Sequence, residues 1–251
     1  MIGLVRNEWK KVFLPVLLTT VLLAIAMSVL SCTIYQNYVL HYDLEAWEVG
    51  TELFSLLYPL FVVVPLCWNL YYERKNNFLL YVMPRVKIKK YLTAKWIAYA
   101  LGTLCIIVIP YILSAVFALY VKPPVVPFVE NPFSHIFENA FIKTPLLYAV
   151  ALSLWRGTVS LFVMTFGFIL ALYCKNIFVI LTGPFMYSIL ENFVLAILCL
   201  ERLRLVVAFD PTTVNPEVVS IFSFFFGPIV LSIVIGLTAF LLSKKNAVVT
   251  I

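Results

Sequence analysis

Six long apolar runs, at about 13–34, 51–71, 96–121, 157–174, 177–200 and 218–242, leave this chain few ways to fold. Crossing about 30 Å of hydrocarbon takes roughly 20 apolar residues in a helix, and each run is close to that length or longer. Strands are far shorter, and a helix satisfies its own backbone hydrogen bonds where water is absent. The chain is 63% hydrophobic and 12% charged, with mean hydropathy +1.03, whereas soluble domains lie near half apolar and a quarter charged. The expected fold is an all-α integral membrane protein. It has six transmembrane helices in one domain over 1–251, preceded by an amphipathic interfacial elbow helix over 1–12, with both termini on one side because the span count is even.

Lysine and arginine set the expected orientation, since cytoplasmic loops hold the excess. Thirteen of the eighteen fall on the side of the termini: Arg6, Lys10 and Lys11, seven between Tyr72 and Lys95, Lys175, and the tail pair Lys244 and Lys245. Lys122, Lys143, Arg156, Arg202 and Arg204 fall on the other side. Both termini are therefore expected in the cytoplasm. The net charge of +6 reads as topology and not as a nucleic-acid surface, so no nucleic-acid partner is expected. A cleaved leader is not expected either, because the first run exceeds the 7–15 residues of a signal-peptide core.

Little in the chain points to catalysis. Cys32, Cys67, Cys105, Cys174 and Cys199 form no C-x-x-C pair, and His41 and His135 lie outside the spans, so no metal site follows from spacing. None of the eight glycines precedes a lysine, so no phosphate-binding G-x-x-x-x-G-K-[ST] loop occurs. The expectation is a protein that is not an enzyme and holds no cofactor of its own.

Residues 1–12 place Ile2, Val5, Trp9 and Val12 at three-and-four spacing, with Glu8, Lys10 and Lys11 among the remainder. That pattern fits a helix lying at a membrane surface, with Trp9 at headgroup depth and the lysines toward anionic lipid. The loop at about 122–156 opens with the stiff run Lys122 to Pro127, and its charges predict an interfacial helix over 145–155 that turns into the fourth span at Arg156. The region 201–217 mixes apolar and charged residues and reads as the last outside loop. Pro15, Pro59, Pro65, Pro110, Pro184 and Pro228 fall inside spans and predict kinks. Glu191 is the one carboxylate expected at depth, roughly 24 Å along the helix from Lys175. With Tyr187 and Asn192 it is a candidate for a substrate path or outer gate, or for a structural hydrogen bond.

The segment 72–95 carries more than topology. After Glu73, Arg74 and Lys75 comes an apolar patch, Phe78 to Met83, then Pro84 and Arg85, then a basic stretch to Lys95. Proline ends the helical pattern, which predicts a short helix projecting from the membrane with an apolar face, and such a face outside lipid reads as a docking surface.

At these residues the chain resembles the type-2 ABC exporter permeases. In that family an elbow helix containing an acid and lysines precedes six spans. Between spans two and three an acid, an apolar stretch, a proline with nearby arginine and a lysine recur; here Glu73, Phe78 to Met83, Pro84, Arg85 and Lys95 match. The sequence departs at Asn76-Asn77, where the family often has Gly with Ser or Thr, and at Pro84-Arg85, where a Ser commonly intervenes. The resemblance implies an ATPase-coupling role for Glu73, Arg74, Phe78, Leu79, Val82, Pro84 and Arg85, and an elbow built on Glu8, Trp9, Lys10 and Lys11. It implies two copies of a separate ATPase that binds ATP and Mg, a second permease copy, identical or related, and a place in the bacterial plasma membrane. The small build is similar to exporters of antimicrobial or cytolytic peptides, such as the phenol-soluble-modulin exporters, or their immunity counterparts, and implies amphipathic or hydrophobic cargo. An ion-coupled carrier or channel, and a membrane scaffold or regulator binding a cytoplasmic partner, are the alternatives.

Overall fold

A computed structural model describes residues 1–82, 84–125 and 135–245. Met83 of the apolar patch, and Val126 and Pro127 of the stiff run, lie outside the described residues. Nine α-helices follow in order: α1 (Ile2–Thr33), α2 (Glu45–Lys75), α3 (Phe78–Val82), α4 (Ile88–Tyr120), α5 (Glu138–Lys143), α6 (Pro145–Tyr173), α7 (Ile177–Ile197), α8 (Leu205–Phe209) and α9 (Ile221–Lys245), all among the described residues, where no strand occurs. The helices α1, α2, α4, α6, α7 and α9 are long and apolar enough to cross a membrane. The chain is a multi-pass membrane protein.

These six helices alternate in direction, so α3 and the α6–α7 turn share one end of the bundle. The segments after α1, α4 and α7 share the far end. The ends are set by local chemistry. The Glu45 carboxylate accepts the His41 and Tyr42 N–H groups at 2.6 and 3.2 Å, and the Asn176 side chain accepts Phe178 N–H at 2.9 Å to open α7. The Asn176 bond satisfies an orphan donor of a helix start, whereas the Glu45 carboxylate ties down the turn before α2, whose N-cap Leu44 makes no side-chain bond. Pro145 opens α6, where a missing N–H costs nothing. At the other end of α2, Asn77 turns left-handed at φ 55° and releases the chain into α3.

The helices run well past the apolar runs. The N-terminal segment is not a separate elbow: α1 is continuous from Ile2 through Pro15, because nothing in residues 10–14 stops a helix and a proline loses only one bond plus local packing. Nor is there an interfacial helix over 145–155 that turns at Arg156. Residues 145 to 173 form one helix, and Arg156 sits mid-helix with no exposed surface. Prolines 59, 65, 110, 184 and 228 likewise lie inside continuous helices.

The core gathers around α2, which packs against α1, α4, α6 and α7, while α1 lies along α4. At the α1–α2 contact a Cβ on Gly50 would stand 2.5 Å from the Ser31 backbone, so only glycine allows that approach. The windows of α7 and α9 most suited to crossing a membrane are only 17% buried, against 56% for α2, which puts these two helices at the periphery. The third departure concerns residues 201–217. They join α7 to α9 at the far end, but within them α8 folds back into the bundle with all five residues buried, and Leu205 approaches α9 so closely that a Cβ on Gly227 would meet its Cα at 2.8 Å.

Candidate functional site

At the α3 end, three helices each contribute two or more polar side chains at helical spacing, which places them on one face. From α1 come Glu8 and Lys11, from α2 Asn69 and Glu73, and from α4 Tyr91, Lys95 and Tyr99. Lys95, its side chain fully buried, pairs with Glu8 at 3.1 Å and with Glu73. Its ammonium also donates to the Asn69 carbonyl oxygen at 2.9 Å, and the rings of Tyr91 and Tyr99 flank it, each 5.7 Å away. Lys11 closes the ring, 2.6 Å from Glu8 and 3.0 Å from Glu73, and the Tyr91 hydroxyl donates to Glu73 at 2.9 Å. Two carboxylates and two ammonium groups cancel. That neutrality and the dense hydrogen bonding offset the burial of Lys95 and Glu8, since an unpaired ion would cost several kcal/mol, while Glu73 is partly buried and Lys11 lies at the exposed edge of the cluster.

The short α3 stands on this cluster. Leu80 is 57% exposed and Tyr81 73%, and Phe78 is also exposed, whereas Leu79 and Val82 are half-buried. The outward apolar side chains of the expected Phe78 to Met83 patch are therefore Phe78, Leu80 and Tyr81. Phe78 reaches back toward the cluster, its ring 5.1 Å beneath the Lys11 ammonium. Pro84 and Arg85 are exposed in the turn that follows, and the Arg85 N–H donates to the Val82 carbonyl at 3.0 Å. Arg74 donates to the Cys174 carbonyl, tying the end of α2 to the α6–α7 turn. Glu8 is not on a solvated helix face as the amphipathic pattern predicts; it is buried in the cluster, while Trp9 is half-buried and Lys10 exposed.

A second polar cluster lies toward the far end. The Arg156 guanidinium is 2.7 Å from Asp210, both fully buried. It lies in the corner formed by the perpendicular rings of Trp47 and Tyr111, whose centroids are 4.7 and 4.4 Å away. Trp47 donates to the Tyr111 carbonyl and the Ser114 hydroxyl at 3.0 and 3.1 Å, which fixes that wall. Asp210 also accepts from the Thr212 hydroxyl at 2.7 Å. The pair anchors the end of α8. Phe209 stacks on Tyr58 at 3.9 Å, and the Trp155 indole donates to the Ala208 carbonyl at 2.7 Å.

Glu191 anchors the start of α8. Both carboxylate oxygens accept the Leu205 N–H at 3.0 Å, so this carboxylate is engaged with backbone. Tyr187, four residues before it, meets Phe166 edge-on at 5.8 Å, and Asn192 is half-buried. Farther out, Lys122 pairs with Asp43 at 2.5 Å. His135 pairs with Glu45 at 2.8 Å and stacks on Phe141, and no group of three or more His, Cys, Asp or Glu that could hold a metal occurs among the described residues.

Sequence reasoning finds Glu73 but misses that Lys95 and Lys11 join it to Glu8, and it misses Asp210 entirely. The available signal for the far cluster was Arg156 itself, a lone arginine in the run LLYAVALSLWRGTVSLFVM. A charge there marks either a helix end or a buried partner, and the structure takes the second course. No protein-family model, curated protein or solved structure matches the chain.

Proposed function

We propose that this chain is the membrane-spanning subunit of an ATP-driven exporter whose ATPase is a separate protein docking on α3. The observation that carries the reading is the Lys95–Glu8–Glu73–Lys11 ion-pair cluster, with Lys95 and Glu8 buried, beneath the exposed Phe78, Leu80 and Tyr81 side chains. A docking helix transmits force only if its root is stiff. Here a push on α3 reaches α2 and α4 directly, and the charge cluster couples α1 to both, so the three ends move as one body. Rigid-body movement at this end is delivered across the membrane to α8, which α2 touches through Tyr58 and α6 through Arg156.

In this reading α3 faces the cytoplasm, as the lysine and arginine distribution favours. Two ATPase copies and a second permease chain complete the unit in a bacterial plasma membrane. Cargo is amphipathic or hydrophobic, in keeping with walls built from apolar and aromatic side chains. Glu191 acts by holding α8, the segment that must yield when the far end opens.

The test is co-purification. The wild-type chain, extracted in mild detergent from its own cells, should carry a stoichiometric ATP-hydrolysing subunit. Leu80→Asp combined with Tyr81→Asp should lose that subunit while keeping its helical content and monodispersity, because both side chains are exposed. Absence of an ATPase from the wild-type preparation, or its full retention by the double variant, contradicts the proposal.

A further inference from the structure

The segment that enters α5 is fastened to the head of α2 through one titratable side chain. His135 stands with both ring nitrogens toward carboxylates of that helix, Nε2 at 2.8 Å from Glu45 and Nδ1 at the ion-pair distance of 3.8 Å from Glu48. Its ring lies flat on Phe141 of α5, with centroids 3.9 Å apart. Phe141 is itself buried, edge-on to Tyr42 at 5.9 Å and to Tyr148 at 5.3 Å. We infer that His135 is a proton-controlled latch: its imidazolium holds α5 on the head of α2, and loss of the proton frees α5.

The argument rests on what each form of the ring can offer. An imidazolium donates from both nitrogens, a neutral ring donates from one and presents a lone pair at the other, and ionised carboxylates only accept. With Nε2–H given to Glu45, a neutral His135 turns its lone pair toward Glu48. Two carboxylates three residues apart on one helix face then have no cation between them, and like charges at that spacing repel. Histidine is the side chain that changes charge between about pH 5 and pH 8. The latch is thus made at the acidic end of that window and lost as pH rises through it.

The other charged and titratable groups near the ring are engaged elsewhere. Asp43 pairs with Lys122 at 2.5 Å and accepts the Val125 N–H at 2.9 Å. The second Glu45 oxygen accepts the His41 and Tyr42 N–H groups. Arg156 and Asp210, which act on Glu48 from the inner side, are paired with each other. On α5 itself, Glu138 and Lys143 are exposed. His41, the second imidazole of the chain, meets Tyr42 edge-on at 4.7 Å. The link from His135 to α5 is also under strain, because Phe137 is left-handed at φ 54°, a region that bulky side chains rarely adopt. At six residues, α5 is too short to be stable without its anchors.

The latch does not depend on the ATPase partner, so it is tested on the chain alone in nanodiscs. Ketone-bearing residues at Asn37, in the turn after α1, and at Asn139 of α5, both exposed, accept spin labels without touching the native cysteines. Pulsed dipolar spectroscopy then reads their separation. One narrow distance is expected at about pH 5, joined by a longer and broader population at about pH 8. A second pair, at Asn37 and the exposed Leu154 of α6, should keep one distance throughout. His135→Gln, neutral at every pH, should show the broad population under both conditions, and His41→Gln should respond as the wild type does. Four results would overturn the inference: a wild-type distance that does not change with pH, a second pair that moves with the first, a pH response that survives His135→Gln, or one that disappears in His41→Gln.

Discussion

Arg156 shows how much a single side chain carries at this depth. It is buried with Asp210 as its counter-ion and the rings of Trp47 and Tyr111 beside it, so its charge is tolerated only as a pair. Removing one partner of a buried pair typically costs about 3–5 kcal/mol, while replacing both is often close to neutral. Arg156→Met should accordingly lower unfolding stability in mixed micelles by that amount, and adding Asp210→Asn should restore most of it. A double variant as unstable as the single one would mean that the arginine matters for its shape and not its charge. Neither residue is legible as a pair in the sequence, where 54 positions separate them. Arg156 reads as the end of a span because a lone charge in an apolar run has two physical resolutions, a boundary or a buried partner, and only the three-dimensional path of 201–217 decides between them. Glu8 is a parallel case: its helical pattern reads as a wet face, and Lys95 from α4, together with Lys11 one turn on, makes it an interior group.

At the scale of elements, the long apolar runs were readable because length and hydropathy alone force a membrane helix. Their ends were not, since α2, α4 and α6 continue as helix beyond the apolar limits wherever a cap or a packing partner is supplied. The five residues LVVAF were the hardest to read. Too short for a span and bordered by Arg204 and Asp210, they resemble loop, yet α8 is held from both ends by Glu191 and Arg156 and packed on Gly227. Gly227 gives this element a direct test. A branched side chain there cannot coexist with Leu205 at its present distance, so Gly227→Val should drive α8 from its seat. A cysteine introduced at Val207, 2% exposed in the wild type, should go from inert to reactive toward a membrane-impermeant maleimide in the Gly227→Val background. Continued protection of that cysteine would mean that α9 yields instead of α8.

Over the whole molecule, two charge clusters sit at opposite ends of one bundle, and α2 contributes to both: Asn69 and Glu73 at the α3 end, Trp47 and Tyr58 at the far end. The α3-end cluster ties α1, α2 and α4 together, and the far cluster holds the end of α8. That arrangement suits a protein moved from outside the membrane, with α3 as the handle, and this is the account's central claim. It is tested most directly by placing a photoreactive benzoylphenylalanine at position 81, the most exposed residue of α3, and irradiating intact cells. The account predicts a covalent adduct between position 81 and a nucleotide-hydrolysing subunit, absent when the same group is placed at Leu22 on the lipid face of α1. Adducts at position 81 with lipid alone, or with no ATPase among the products, would contradict it.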